Sequence, residues 1–338
     1  MNLFFSYLLL VITAASASER VLYHDATFNV SKTTNVTYAQ GLVCENGTYP
    51  GTNCKPRDLL LDIYEPTLLS EPVPALKPAY ILMHGGGNDH GDRTKIPEGS
   101  VMFWASRGMV VFNIEYRLLN EHGLLPEQLS NELRDDHEWT LWTPQWISTY
   151  PAVRDLKAAI RFVKAHAEEY GVDASLVTVS GGSAGATNSL AAGVTFEDDY
   201  ARELTVEEDP TLKTAHLEQN ATVQCVVAHW STGQEVGLIQ EYDPKNRSRW
   251  SAQNAPIIEF HGDQDSTIYI SQAYAVQKQY TITGVPYQLH VLEGCGHGAW
   301  CYDKDTSQCH CHGNSTYAPS MDITALPFVA KQLGVQLV

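Results

Sequence analysis

Ser175-Leu176-Val177-Thr178-Val179-Ser180-Gly181-Gly182-Ser183-Ala184-Gly185 is the stretch on which the fold turns. Its first six residues form the kind of apolar, β-branched run that is buried in a parallel strand. From Ala184 onward the composition suits a helix. A serine at the tip of a strand-to-helix turn, with glycines two residues to either side, has the pattern of a nucleophile elbow. The turn strains the backbone of its serine, so whatever packs against it must be nearly free of side chains. Ser183 is therefore the candidate nucleophile, and nearby Ser180 lacks the paired glycines.

Outward from the elbow, strands and helices alternate. Apolar runs at 79–83, 109–114, 223–227, 257–260 and 287–292 read as strands, and earlier strands are expected at 21–30 and 59–64. Helices are expected at 101–106, 151–170, 271–280 and 322–333. The second of these sets Val153, Leu156, Ile160 and Val163 on one face, with Pro151 in its first turn. Such alternation means an α/β fold with a mostly parallel sheet covered on both faces, which places ligands at the carboxyl ends of the strands. Segments 118–150, carrying Trp139, Trp142 and Trp146, and 231–254 break the pattern. Long irregular insertions are uncommon without a use, so both are expected to form a cap over the site.

Acyl transfer by a serine needs a base, a carboxylate that orients it, and donors for the oxyanion. His84-Gly85-Gly86-Gly87 directly follows the strand at 79–83, and its glycines let backbone N–H groups approach a developing negative charge. Gly85 and Gly86, with the Ala184 N–H, are the expected donors, and His84 is expected to be structural. His297 in Gly294-Cys295-Gly296-His297-Gly298 is the candidate base, because a glycine-flanked loop histidine has no core to pack into. Asp263 and Asp265 both follow the strand at 257–260 and compete as the carboxylate.

Composition sets further bounds. The 338 residues carry a formal net charge of -17, which argues against nucleic-acid or anionic-membrane partners. Residues 3–13 are apolar and precede Ala15-Ser16-Ala17, so 1–17 read as a secretory signal peptide ahead of a single domain over 18–338. Six sequons, at Asn29, Asn35, Asn46, Asn220, Asn246 and Asn314, agree with a secreted or lumenal glycoprotein. No stable membrane insertion is expected. In an oxidising compartment the seven cysteines read as disulfides: Cys44 with Cys54, bridges among Cys295, Cys301, Cys309 and Cys311, and Cys225 as a buried free thiol. Cys309-His310-Cys311-His312 has metal-ligand residue types, but four contiguous residues rarely converge on one ion, and no metal is expected.

Taken together, His-Gly-Gly-Gly, Gly-X-Ser-X-Gly, a strand-end aspartate and a late histidine resemble the α/β-hydrolases of the hormone-sensitive-lipase-like and feruloyl-esterase-like (BD-FAE) carboxylesterase group. Glu115-Tyr116-Arg117-Leu118, Pro151-Ala152-Val153-Arg154-Asp155 and Gly171-Val172-Asp173 extend the likeness, which covers about 58–335. The resemblance implies an eight-stranded, mostly parallel sheet. It also implies hydrolysis of carboxylic esters through an acyl-enzyme, without metal or cofactor, on small-molecule or polymer-linked substrates. It selects Asp265 over Asp263, because these hydrolases usually carry the acid three residues after the glycine. Gly182 stands where the group often has an acidic residue, and the Ala-Pro-Glu-His-Pro run of the lipase branch is missing, which favours the BD-FAE side. Two other readings stay open on sequence: an amidase or peptidase on the same fold, and an inactive hydrolase fold used for binding.

Overall fold

The elbow strand lies at the middle of an eight-stranded sheet. The structure, a computed structural model, describes residues 20–45, 51–69, 72–135, 143–243, 245–298, 302–303, 305–306, 308–309 and 320–338. The signal-peptide segment, Asn46, Asn314, Trp139, Trp142, Cys301 and Cys311 lie outside the described residues, as do the side chains of Trp146 and Cys309.

The strands of the main sheet are β1 (Asn29–Val43), β2 (Lys55–Thr67), β3 (Lys77–Met83), β4 (Val110–Ile114), β5 (Val172–Gly182), β6 (Cys225–His229), β7 (Ile257–Gly262) and β8 (Tyr287–Leu292). Their order is β1-β2-β4-β3-β5-β6-β7-β8. Only the β1–β2 and β2–β4 pairs are antiparallel. Side chains alternate between the two faces, as a period of two requires. Ala79, Ile81 and Met83 of β3 join one core, beneath α3 (Thr143–Ala165), α4 (Ala184–Val194) and α6 (Ser271–Thr283). Tyr80 and Leu82 join the other, beneath α1 (Glu98–Ala105) and α7 (Ser320–Leu333). Helices on both faces explain why β3 and β4 are buried along their whole length. Two shorter helices, α2 (Glu127–Asp135) and α5 (Gln234–Glu241), fall in the segments expected as a cap.

Among the element boundaries that differ from the sequence reading, three are telling. The strand expected at 21–30 is two pieces: Val21–Leu22, which pairs in parallel with Gln336–Leu337, and the start of β1. The polar first half of β1 resembles a loop in sequence. It is held extended by its pairing with β2, and the Cys44–Cys54 disulfide closes the hairpin. Helix α3 begins at Thr143, ahead of Pro151. Burial of Ser148, Thr149 and Tyr150 carries the helix through the proline despite the hydrogen bond it forfeits. Strand β6 runs 225–229 rather than 223–227.

Arg117 and Asp155 tie the sheet to α3. Asp155 accepts from the Arg117 backbone N–H at 2.8 Å and from its guanidinium Nη2 at 2.6 Å, and both side chains are buried. Arg117 Nη1 also donates to the Leu42 carbonyl of β1 at 3.0 Å. Those contacts account for Arg117 and Asp155 in the motifs noted above.

Candidate active site

Ser183 follows β5 and caps α4 with φ 56° and ψ -124°, the strained conformation expected of the elbow. Its backbone N–H donates to the His229 carbonyl at the end of β6 (2.9 Å), which fixes the turn on the sheet. Gly185 must be glycine because the chain passes against β3: a Cβ there would stand 2.7 Å from the His84 carbonyl oxygen and closer still to that of Met83.

His297 lies between two partners. Its Nε2 is 2.9 Å from Ser183 Oγ, and its Nδ1 is 2.8 Å from Asp265 Oδ2. The other carboxylate oxygen of Asp265 accepts from the backbone N–H groups of Thr267 (2.8 Å) and Ile268 (2.9 Å). Burial pushes this carboxyl up, but hydrogen bonds from His297 and the two backbone groups outweigh it, leaving Asp265 below the usual carboxylate range. Asp263, the competing carboxylate, instead accepts from the Gly294 N–H at 2.7 Å and stitches the acid loop to the base loop. Gln264 N–H donates to the Cys295 carbonyl at 2.9 Å in the same seam, and Cys295 is buried and disulfide-bonded.

The glycine loop after β3 comes against the elbow. The His84 ring is stacked on Tyr116 at 4.3 Å between centroids, and the Tyr116 hydroxyl donates to the His84 carbonyl at 2.9 Å. His84 Nδ1 is 2.7 Å from the Gly85 carbonyl, which can only accept, so that nitrogen carries the ring proton. Tyr116 therefore braces the loop from beneath. A Cβ on Gly85 would lie 2.7 Å from the Gly182 carbonyl and 3.3 Å from Ser183 Cβ. Gly85→Ala is accordingly expected to push the loop off the elbow and lower kcat/KM roughly 100- to 1,000-fold, the loss expected if the loop donates to an oxyanion. Unchanged rates in a folded variant would separate this loop from the chemistry.

Gly85, Gly86, Ser183, Ala184 and His297 all border a cleft of about 680 Å³. Its far wall is built by Trp230, Thr232, Gln234, Glu235 and Gln272. The segment 231–254 thus supplies three wall residues, whereas no described residue of 118–150 borders the cleft. Glu235 is only 8% exposed, and its Oε2 has no hydrogen-bond partner among the described residues. Burial pushes its carboxyl up to about 8.

Sequence reasoning passed over Glu235, Thr232 and Gln272. The signal lay in helix α5: Glu235 is an acidic residue flanked by Val236 and Leu238 on the buried face. The sequons Asn29, Asn35, Asn220 and Asn246 are all exposed. Cys44 and Cys54 are paired as expected, and Cys225 is a buried free thiol. No group of three or more metal-ligating side chains converges among the described residues, nor is any described helix long and apolar enough to cross a membrane.

The sheet order, the strained serine at the central strand end and the histidine beside it define the fold as that of the α/β-hydrolase class. Within that class, residues 145–251 match the BD-FAE family model. Esterase LipC of Mycobacterium tuberculosis is 24% identical over 258 residues, covering 71% of this chain and 56% of that protein. Gut esterase 1 of Caenorhabditis elegans is 31% identical over 150 residues, covering 44% of this chain and 22% of its own length. The chain therefore spans about half and about a fifth of these two relatives. Among solved structures, the propionate-bound Est2 esterase of Thermogutta terrifontis superposes with a TM-score of 0.59 at 19% identity, over 92% of this chain and 96% of that one. These comparisons bear out the likeness drawn from the motifs and the eight-stranded fold.

Proposed function

We propose that the protein is a serine carboxylesterase that works through an acyl-enzyme on Ser183. One observation carries the reading: His297 bridges the Ser183 hydroxyl and the Asp265 carboxylate at 2.9 and 2.8 Å. Ser183 Oγ attacks the ester carbonyl carbon while His297 Nε2 takes its proton. The oxyanion is received by the N–H groups of Gly85, Gly86 and Ala184, the last of these at a helix start with no intrahelical acceptor. Asp265 holds the Nδ1–H tautomer and stabilises the imidazolium without taking the proton. The carbonyl then re-forms, the alcohol leaves with the proton from His297, and a water activated by the same nitrogen releases the acid.

The named relatives are esterases, and the Thermogutta enzyme is described as phosphorylated by paraoxon. Treatment of this protein with paraoxon is expected to abolish hydrolysis of p-nitrophenyl butyrate and to leave one diethylphosphoryl group on the Ser183 peptide. Full inhibition with the adduct elsewhere, or turnover that survives a modified Ser183, would overturn the reading. The exposed sequons and the Cys44–Cys54 bridge support action in the secretory pathway or outside the cell, on esters that enter the cleft from solution. In this reading the chain after the signal segment is a single catalytic domain, and the 231–254 segment caps the cleft.

A further inference from the structure

Two ionisable residues interrupt the apolar run Ile257-Ile258-Glu259-Phe260-His261 of β7, and the proposed chemistry uses neither directly. Both are 0% exposed. A charged side chain in a strand covered on both faces has to be partnered. Glu259 Oε1 accepts from the Ser231 N–H at 3.1 Å and the Ser231 hydroxyl at 2.9 Å, and Oε2 accepts from the Tyr287 phenol at 2.6 Å. His261 Nδ1 is 3.3 Å from the same Oε1. Three donors besides the imidazole thus converge on this one carboxyl: the Ser231 N–H, the Ser231 hydroxyl and the Tyr287 phenol.

On the other side of the imidazole, Nε2 is 2.8 Å from the Ile268 carbonyl oxygen. It is also 3.6 Å from Asp265 Oδ2, an ion-pair contact rather than a hydrogen bond. A neutral imidazole has one N–H and one lone pair. Here Nδ1 faces the Glu259 carboxyl, and Nε2 faces the Ile268 carbonyl and the Asp265 carboxylate, neither of which can donate back.

We propose that His261 is a buried imidazolium clamped between Glu259 and Asp265, a positioning residue that holds Asp265 in place and tempers the pull of its charge on His297. The proposal rests on the Ser183–His297–Asp265 reading. The side-chain electrostatics agree. Burial lowers the affinity of His261 for its second proton, but the Glu259 hydrogen bond, the Ile268 carbonyl and the two carboxylates outweigh it, and the net direction is upward. Burial and Glu259 both push the Tyr287 phenol up, so it remains a donor. The titratable groups facing the ring are Glu259 on its own strand, Tyr287 behind Glu259 on β8, and Asp265 with His297 from the two loops. His229 and His290, on the adjoining strands, pack against Phe260, whose side chain points to the opposite face of the sheet.

The consequence is a pH effect with a definite sign. Catalysis requires neutral His297. A cation beside Asp265 offsets part of the negative charge that faces His297. Removing the cation lets His297 hold its proton longer. The test is kcat/KM for p-nitrophenyl acetate against pH in His261→Gln and Glu259→Gln, each first shown to unfold as cooperatively as the wild type. The acid limb is expected to move to higher pH by about one unit in His261→Gln, as for a unit charge removed at this range, and in the same direction by less in Glu259→Gln. A limb that stays put in both folded variants, even with a lower plateau, would show a merely structural pair and overturn the proposal. Should the variants not fold, histidine-selective nitrogen NMR of the wild-type protein decides: one solvent-shielded histidine with protons on both ring nitrogens at pH 8 is expected, and none would overturn it. Ser183→Ala run alongside keeps the two readings apart, because wild-type rates in that variant would remove the triad itself, whatever the limb does.

Discussion

Ser183→Ala is expected to lower kcat/KM on p-nitrophenyl butyrate by roughly ten-thousand-fold or more, with the fold intact. The size follows from the geometry. Ser183 Oγ lies 2.9 Å from His297 Nε2, so under the proposed mechanism its removal leaves the base without a nucleophile to activate. His297→Ala should lose about as much, since a serine hydroxyl is a weak nucleophile without its base. The double variant is the sharper measurement. Groups that act as one unit are grossly non-additive, so Ser183→Ala/His297→Ala should be no slower than either single variant. The residual rate would come from the glycine loop and substrate binding. Losses that multiply instead would mean that the two residues act independently and that their contact is incidental.

The second large effect is on stability, and it changes with pH. Glu235 is buried with Oε2 unpartnered among the described residues, and burial lifts its carboxyl to about 8. In the unfolded chain a glutamate releases its proton near 4.3. Below that pH both states hold the proton and the residue is neutral in its effect. Between there and about 8 only the unfolded chain ionises, so stability falls as pH rises, by about 1.4 kcal/mol per unit for the ideal case. Above 8 the slope ends. Glu235→Gln has nearly the same shape and no charge to lose. It should match the wild type in urea unfolding near pH 4.5 and exceed it by about 3 kcal/mol near pH 8, allowing for relaxation around the site. An equal gap at both pH values would mean that Glu235 is already ionised in the folded protein.

The parts of the site that could be read from sequence share one property: each lies at a strand end beside small residues. The elbow, the glycine loop after β3, Asp265 and His297 are marked by glycines whose spacing reflects close approach of backbones. The choice between Asp263 and Asp265 needed the family pattern, because both residues sit in the same turn and only the fold shows that one faces His297 and the other Gly294. The parts that were missed depend on contacts between distant segments. Burial of Tyr150 and its neighbours draws α3 through Pro151, and no local propensity records that. Sequence reasoning assigned no role to Glu259 or His261. Their meaning lies in Ser231, Tyr287 and Ile268, which sequence alone does not bring near.

The polar outer strand has a consequence for how molecules of this protein meet each other. β1 ends the sheet, with no further strand beside it among the described residues. Its second half is covered, with the Gln40 N–H donating to Thr214 Oγ1 and Val43 bridged to Gly123, while the uncovered first half would ordinarily invite another chain to pair along it. Here its ladder slips at Thr33/Val36 and again at Thr37/Ala39, Asn35 adopts a left-handed turn, and Lys32 stands exposed on the outer half. A second backbone cannot stay in step across two such dislocations, so concentrated solutions should resist strand-to-strand aggregation along this border.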